Sequence, residues 1–281
     1  ERGQVDFDLA PLSETEFKAP FTYALKKGNR YDINYDVSLK ADAFRGSKGD
    51  VVAAGQIPLQ EKAEATASVA MPKGTPKTRI KGDQLLVELA GESQVVFNQT
   101  TGLLEQLSVK GEKLLAAESD LPGIEFNPNM VLPDARKAWG ITPEMKKVVA
   151  AGLNEFVRKN GKVSVVDSPA GSVRVKTECD YLVKGQPYGL NHVAYYTILS
   201  DGTIRVDNDV RKLDLDSNSL QVRIGARLPL KKEFDHVEYA ARGPHENYDS
   251  RSESSRFGRF ESSAEAMMGR YVKPQECGNR S

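Results

Sequence analysis

The sequence predicts an all-β protein made of antiparallel β-sandwiches, and three observations lead to that prediction. Apolar and polar residues alternate with a period of two in several segments, as they do in a strand with one buried face. Gly, Asn, Asp and Pro separate these segments, which is typical of turns between strands. Helical periodicity is scarce, and the 281 residues suffice for one large β domain or two smaller ones.

The alternating segments are predicted to be half-buried strands. In chain order the clearest of them are Tyr31–Leu39, Lys162–Val166, Ser172–Lys176 and Thr203–Asp207. Turns are predicted at Lys27–Asn29, Lys184–Pro187 and Asp201–Gly202. The best helical pattern is Thr142–Val157, where Pro143 suits the first turn. The valines of that segment and Gly152 indicate a strand or a loop nearly as well.

A domain boundary is predicted near residues 72–84. The stretch Pro72–Lys77 lacks apolar anchors and is rich in turn-forming residues, as a linker or an edge loop is. The segment before it has the size of a single small sandwich. We therefore predict one domain over residues 1–78 and a second over 79–281.

The charge balance excludes some classes of partner. Lys plus Arg and Asp plus Glu both number 39, so there is no net field to attract nucleic acid or an anionic membrane. No apolar run approaches the roughly 20 residues that a bilayer span needs. The N-terminal Glu1–Gly3 does not resemble a signal peptide and reads as a cut or processed end. We thus predict a soluble protein with neither a nucleic-acid partner nor a membrane partner. The sequence indicates no particular cellular compartment.

No metal site can be placed from the sequence. Cys179 and Cys277 do not form a CxxC pair and have no nearby His, so two unrelated free thiols are favoured over a zinc site or a disulfide. Asp207–Asp209 offers oxygen ligands but does not match a calcium-binding loop. An ordinary turn is the favoured interpretation of that segment.

Three passages carry more specific motifs. The first lies within Tyr31–Leu59 and contains Y-D-I-N-Y and K-G-D-V-V-A-A-G-Q-I-P-L, and the second is F-N-Q-T-T-G-L-L at 97–104. In the second, Gly102 stands where a hairpin turn needs a positive φ. The third combines R-G-P-H-E-N-Y at 242–248 with Y-V-K-P-Q-E-C-G-N-R at 271–280.

These passages resemble, in the same order, the C-terminal part of β-galactosidases of glycoside hydrolase family 2. The resemblance implies an immunoglobulin-like β-sandwich over 1–78, then a mutarotase-like β-supersandwich over 79–281 that is incomplete at its C-terminus. Departures from the family pattern are Asp50 and Val51 in place of His and Glu, Ala241 in place of Gly, and Cys277 in place of Asn.

The resemblance implies a non-catalytic role in a β-galactosidase-like hydrolase. In that family both catalytic glutamates lie on a barrel that would precede residue 1, so no catalytic residue is assigned here. Glu238 and Glu246 are a tempting pair, but nothing in the sequence brings them together. The expected role is to support the barrel and the assembly and to form one wall of the active site. The alternative is a stand-alone carbohydrate-binding or mutarotase-like module.

The third passage supplies the candidate site. Side chains that could bind a sugar or shape a pocket are His245, Glu246, Asn247, Gln275 and Glu276. The competing interpretation is structural: the Glu246 carboxylate accepts backbone N–H bonds and holds the turn, and buried amides satisfy the backbone of a crowded loop. In that interpretation His245 is an ordinary, partly exposed loop histidine.

Cofactors and partners follow from the resemblance alone. No cofactor is expected in this chain, whereas parent enzymes of the family often use Mg and Na in the barrel. The expected partners are a β-galactoside or another sugar, through the parent enzyme, and further copies of that enzyme in a homo-oligomer. Between Phe126 and Trp139 the family's Asp-Asn-Asp element is missing. That change implies altered substrate specificity in the parent, with loss of activity as the second explanation.

Overall fold

The computed structural model places 52% of the residues that it describes in β-strands and 1% in helix, which confirms the predicted all-β class. It describes residues 1–60, 74–116, 123–127, 147, 150–153, 155–215, 223–247, 252–269 and 278–280, with the backbone alone for 123–127 and 223. The strands are β1 (Tyr31–Ser38), β2 (Val51–Gln60), β3 (Lys77–Lys81), β4 (Gln84–Glu88), β5 (Gln94–Asn98), β6 (Leu103–Val109), β7 (Glu112–Lys113), β8 (Gly123–Asn127), β9 (Phe156–Asp167), β10 (Ser172–Val183), β11 (Gly189–Leu199), β12 (Ile204–Leu213), β13 (Arg223–Arg227), β14 (His236–Gly243) and β15 (Arg256–Ser263).

The chain divides into two compact units. Unit 1 comprises Glu1–Ser68, Ala240–Phe260 and Arg280–Ser281, and unit 2 comprises Val69–Tyr239 and Glu261–Asn279. A segment from late in the chain thus belongs to the same unit as the first residues. The domain bounds 1–78 and 79–281 stay a prediction.

Unit 2 contains a β-sandwich with a main apolar core, beside two smaller apolar clusters around Tyr181 and Val183. Its two main sheets have the strand orders β12-β11-β10-β9 and β3-β4-β5-β6-β7, and the smaller pair β13-β8 lies in the same unit. One face of each main sheet contributes to the core, whose buried members are Leu85, Val87, Val95, Phe97, Leu104, Leu115, Val173, Val175 and Ile198. The ring of Tyr196 meets Phe97 edge to face, with the ring centroids 5.0 Å apart. Burial of these side chains stabilises the sandwich, by roughly 2–3 kcal/mol for a residue such as Phe97.

The predicted hairpin at Gly102 fits against a bulge in β9. Gly102 has φ +70°, which confirms the prediction, and its N–H donates to the Asn98 carbonyl over 2.9 Å. Opposite Cys179, the residues Asn160 and Gly161 form an irregularity in the pairing of β9 with β10. An added Cβ at Gly161 would lie 2.3 Å from the carbonyl carbon of Thr101. The turn and the bulge therefore touch backbone to backbone, a contact that only glycine permits at this position.

The second face of the four-stranded sheet is polar and charged. Its ion pairs join residues two apart on the same strand, and they are Lys176–Glu178, Arg205–Asp207 and Arg211–Asp209. Next to them the guanidinium of Arg174 lies 4.4 Å from the centroid of the Tyr195 ring. This face is solvated, and its charges are largely neutralised within each strand.

Two of the sequence predictions need correction. Asp207–Asp209 is not a turn but lies within β12, where the neighbours of its side chains are Arg205, His192 and Arg211. The helix predicted up to Val157 ends earlier, because β9 begins at Phe156. Residues 147 and 150 are helical, and Gly152 with φ +68° lies in the turn that follows. The rest of that segment, like Trp139, lies outside the described residues.

The structure confirms the predicted turns and the free thiol of Cys179. Gly28, Gly185 and Gly202 have φ between 77° and 92°, which confirms the three predicted turns. Cys179 is buried and free, whereas Cys277 lies outside the described residues. In the described part of the chain no helix combines the length and the apolarity that crossing a bilayer requires.

Unit 1 contains the antiparallel pair β1-β2, whose two faces differ in polarity. Asn34 pairs with Gln56 on the polar face, and their side-chain amides are 2.8 Å apart. On the apolar face Ile33 pairs with Ile57, and the exposed fraction of Ile57 is 51%. Alternation predicted the strand Tyr31–Leu39 correctly to within one residue. That residues 1–78 form an immunoglobulin-like sandwich stays a prediction.

A buried histidine belongs to unit 2. His192 is 4% exposed, and its Nε2 lies 2.9 Å from the Asn208 side-chain oxygen across the β11-β12 pair. Burial lowers the pKa of His192, because the charged imidazolium is poorly solvated there, and the Asn208 contact offsets this only in part. The unfolded chain therefore binds a proton at this residue more readily than the folded chain does.

We expect the free energy of unfolding to fall as the pH drops below about 6.5, the ordinary pKa of histidine. The pKa of His192 is lowered on folding, so its contribution is complete above that pH and declines toward the folded pKa. The slope from one such group is at most about 1.4 kcal/mol per pH unit. Urea unfolding across this range would measure it. His192→Gln should flatten the slope, and His236→Gln, at a side chain 65% exposed, is the matched control that keeps His192.

Candidate functional site

Three of the predicted site residues lie on the connection between β14 and β15. His245, Glu246 and Asn247 follow the end of β14 directly, inside unit 1. Gln275 and Glu276 lie outside the described residues. The site is therefore built from the described residues of the segment 243–256, which runs from the last residue of β14 to the first of β15 and is called the connection 243–256, and from the part of unit 1 that they contact.

Asn247 is the most buried side chain of this connection among the residues that the structure describes. It is 0% exposed, and its Nδ2 donates to the backbone carbonyl of Arg242 over 2.8 Å. Between these two residues the peptide bond from Gly243 to Pro244 is cis. The Asn247 amide thus closes a tight turn, as the structural interpretation of buried amides predicts.

His245 is exposed. Its Nε2 is 3.0 Å from Oγ of Ser254, on the arm of the connection that returns to β15. That arm is ordered by Ser255, which is 3% exposed and whose Oγ donates to the Ser252 carbonyl over 2.6 Å. The described residues thus give the exposed imidazole one hydrogen-bond partner, Ser254, while Glu246 beside it is half-buried.

A paired contact joins the start of β15 to the polar face of β1-β2 within unit 1. The Gln56 side chain pairs with the Phe257 peptide in both directions: its Nε2 donates to the carbonyl over 2.9 Å, and its Oε1 accepts the N–H over 2.8 Å. The Arg30 guanidinium lies 4.0 Å from the centroid of the Phe257 ring. The neighbouring Arg256 forms an ion pair with Asp36.

Sequence reasoning did not find this contact. Gln56 belongs to the first quoted motif, and Phe257 lies between the two parts of the third. About 200 residues separate Gln56 from Phe257, and neither position has a local pattern that indicates its partner. A side-chain amide that pairs with a peptide leaves no periodicity in the sequence. Two segments that belong to different predicted domains thus meet in one unit.

Two described carboxyl groups have pKa values that differ from the ordinary value of glutamate. The pKa of Glu178 is lowered mainly because Lys176 donates a hydrogen bond to its carboxylate. The pKa of Glu233 is lowered by a hydrogen bond from its own backbone N–H and, to a smaller extent, by one from Lys231. A general acid in glycoside hydrolysis needs the opposite shift. Within the described ranges no three His, Cys, Asp or Glu side chains are grouped as metal ligands.

The connection 243–256 offers the exposed imidazole of His245 and the half-buried carboxyl group of Glu246. Both groups are suited to hydrogen bonds with hydroxyl groups.

Comparison with known proteins places these motifs in context. A family model described as the beta galactosidase small chain matches residues 90–281, which is more than half of the chain. That range includes the Gly102 hairpin and the whole connection 243–256.

Relatives with curated names match over most of the chain. A β-galactosidase of Pseudoalteromonas haloplanktis is 26% identical over all of this chain, and the match covers 27% of the relative. A β-galactosidase of Psychromonas ingrahamii is 29% identical over 91% of the chain and 25% of the relative. One from Lactococcus lactis is 27% identical over 82% of the chain and 22% of the relative. The chain thus spans about a quarter of the length of these relatives.

Proposed function

Because the chain belongs to the β-galactosidase small-chain family, we propose that it is a non-catalytic region of a β-galactosidase-like glycoside hydrolase acting on β-galactosides. In this proposal it supports the catalytic barrel and the subunit assembly, and the connection 243–256 forms part of one wall of the active site. The observation that carries the proposal is the match over residues 90–281 together with a length about a quarter of that of the relatives.

The chemistry of glycoside hydrolysis supports the non-catalytic part of the proposal. Retaining enzymes need two carboxyl groups about 5 Å apart, one of them with a raised pKa. Hydrogen bonds, including those from lysines, lower the pKa values of Glu178 and Glu233, so neither of these two suits the role of the acid. The proposal therefore assigns the two catalytic glutamates to the barrel of a parent enzyme.

The geometry of the connection 243–256 supports the proposal that it forms part of the active-site wall. Asn247 directs its amide donor to the Arg242 carbonyl and so fixes the turn, which makes it a positioning residue. His245 stands on that turn and is exposed. In the proposal His245 and Glu246 face the sugar or the barrel, while Asn247 holds them in place.

The test compares the purified chain with its full-length parent, both expressed in a host that lacks its own β-galactosidase. With an aryl β-galactoside the chain should show no turnover and the parent should be active. In the parent, His245→Ala should lower kcat/KM about tenfold, which is the usual effect of losing one or two hydrogen bonds to a substrate. The matched control His236→Ala, on the exposed part of β14, should leave kcat/KM unchanged.

Two outcomes would contradict the proposal. Turnover by the purified chain would show that it carries the reaction itself. Full activity of the His245→Ala parent would remove the connection 243–256 from the active-site wall, while leaving the supporting role intact. Saturable heats with galactose and lactose in calorimetry of the isolated chain would favour the alternative, a stand-alone carbohydrate-binding module.

A further inference from the structure

A groove crosses the second face of the five-stranded sheet in unit 2, and Leu115 of the main apolar core and Ala116 are among its lining residues. Its volume is about 590 Å³. Its floor is made by Leu86 and Val96, which are cross-strand partners and are 6% and 5% exposed. These two apolar side chains lie on the sheet face that alternation assigns to solvent, and longer polar side chains line the groove around them. The result is a narrow apolar strip with polar walls.

The walls of the groove are predominantly basic and amidic. Its polar lining residues are Arg79, Lys81, Gln84, Gln94, Glu105, Gln106, Lys113 and Lys231. Arg79 forms an ion pair with Glu88 at 2.9 Å, and Lys231 forms one with Glu233 at 3.2 Å. The described lining thus contains four cations and one carboxylate, Glu105.

Two of the four cationic side chains, Lys81 and Lys113, are available to pair with a charged ligand. Lys81 and Lys113 lie on β3 and β7, at opposite edges of the five-stranded sheet. Among the described residues neither forms an ion pair. The Glu105 carboxylate is engaged by the Gln84 side chain, whose Nε2 donates to it over 3.0 Å. A ligand that spans the groove would therefore meet a positive charge near each end.

We propose that this groove binds an acidic oligosaccharide of the uronate class. The apolar strip of Leu86 and Val96 suits the C–H face of a sugar ring, and side-chain amides both donate to and accept from hydroxyl groups. Lys81 and Lys113 supply the charge that a carboxylate substituent needs. The described lining contains no aromatic side chain on which a nucleobase could stack, so a nucleic acid is the poorer fit. This site is separate from the connection 243–256 and does not depend on the function proposed for it.

The probe is tri-galacturonate, with the neutral galactotriose as its counterpart, titrated into the purified chain by calorimetry at low salt. We expect saturable binding of the acidic sugar only, weakened by added salt. Lys81→Gln combined with Lys113→Gln should weaken it about tenfold, since one exposed charge pair contributes up to about fivefold. The control pair Lys40→Gln with Lys48→Gln removes two exposed charges from unit 1 and should have no effect.

A gain of affinity gives a second test, because a misfolded variant cannot produce one. Glu105→Gln removes the one carboxylate of the described lining and should tighten binding of tri-galacturonate about threefold. Three results would overturn the proposal: no saturable heat up to about 10 mM ligand, equal affinity for the neutral sugar, or equal weakening by the control pair. Amide resonance shifts confined to residues 242–247 instead of β3–β7 would also overturn it.

Discussion

The substitution Gly161→Ala is expected to destabilise the chain by about 3 kcal/mol or more, which is at or above the upper end for added bulk in a packed site. The new Cβ would lie 2.3 Å from the carbonyl carbon of Thr101 and 2.5 Å from the amide nitrogen of Gly102. These are backbone atoms at a turn that Asn98 already holds, so they cannot rotate away as a side chain would. Urea unfolding followed by circular dichroism measures the loss.

The matched control for this substitution is Gly225→Ala. Gly225 also lies within a strand, and a Cβ added there would have no neighbouring atom within 4 Å among the described residues. Alanine at this position should change the free energy of unfolding by less than about 1 kcal/mol. Equal stabilities of the two variants would mean that the hairpin at Gly102 and the bulge in β9 do not touch as described.

The second large effect is expected from Asn247→Asp, which should cost about 3 kcal/mol at neutral pH. The substitution removes the donor that satisfies the Arg242 carbonyl and places a carboxylate in a site that is 0% exposed. Burial and the facing carbonyl both raise the pKa of the new carboxyl group above its unfolded value. The defect is therefore largest above the folded pKa.

The pH dependence separates this loss from simple misfolding. The protonated carboxyl group can donate to the Arg242 carbonyl, so the variant should approach the wild type as the pH falls toward about 4. The sign follows from the raised pKa: the contribution is complete below the unfolded pKa and is lost as the pH rises. Asn247→Ala lacks any donor and should show a defect that does not change with pH. A constant defect in both variants would contradict this account of Asn247.

Local sequence patterns predicted the parts of the fold that have local causes. Alternation located β1, β10 and β12, because one buried face suffices to produce the pattern. Turn chemistry located Gly28, Gly185 and Gly202, because a positive φ is a property of one residue. Asp207–Asp209 was misjudged because three consecutive polar residues are typical of turns. In β12 the two aspartates pair with arginines two residues away, and Asn208 contacts His192 on β11, a partner that the local composition does not indicate.

The candidate site shows where such reasoning stops. The motifs selected His245 and Asn247 as candidate site residues and indicated the family. The match to residues 90–281 confirms the resemblance to that family. They did not reveal that Gln56 pairs with the Phe257 peptide, because that contact joins two distant segments through one amide group. Whether the five predicted residues bind a sugar stays a prediction.

The ion pairs inside single strands carry a consequence for how the four-stranded sheet finds its alignment. Both members of a pair such as Lys176–Glu178 lie on the same strand. The ion pair therefore forms equally well in any register between that strand and its neighbour. These charges confer solubility without specifying a register. The register must then be set elsewhere, and the bulge at Gly161 can set it, since a displaced β9 would present a residue with a Cβ to the turn at Gly102.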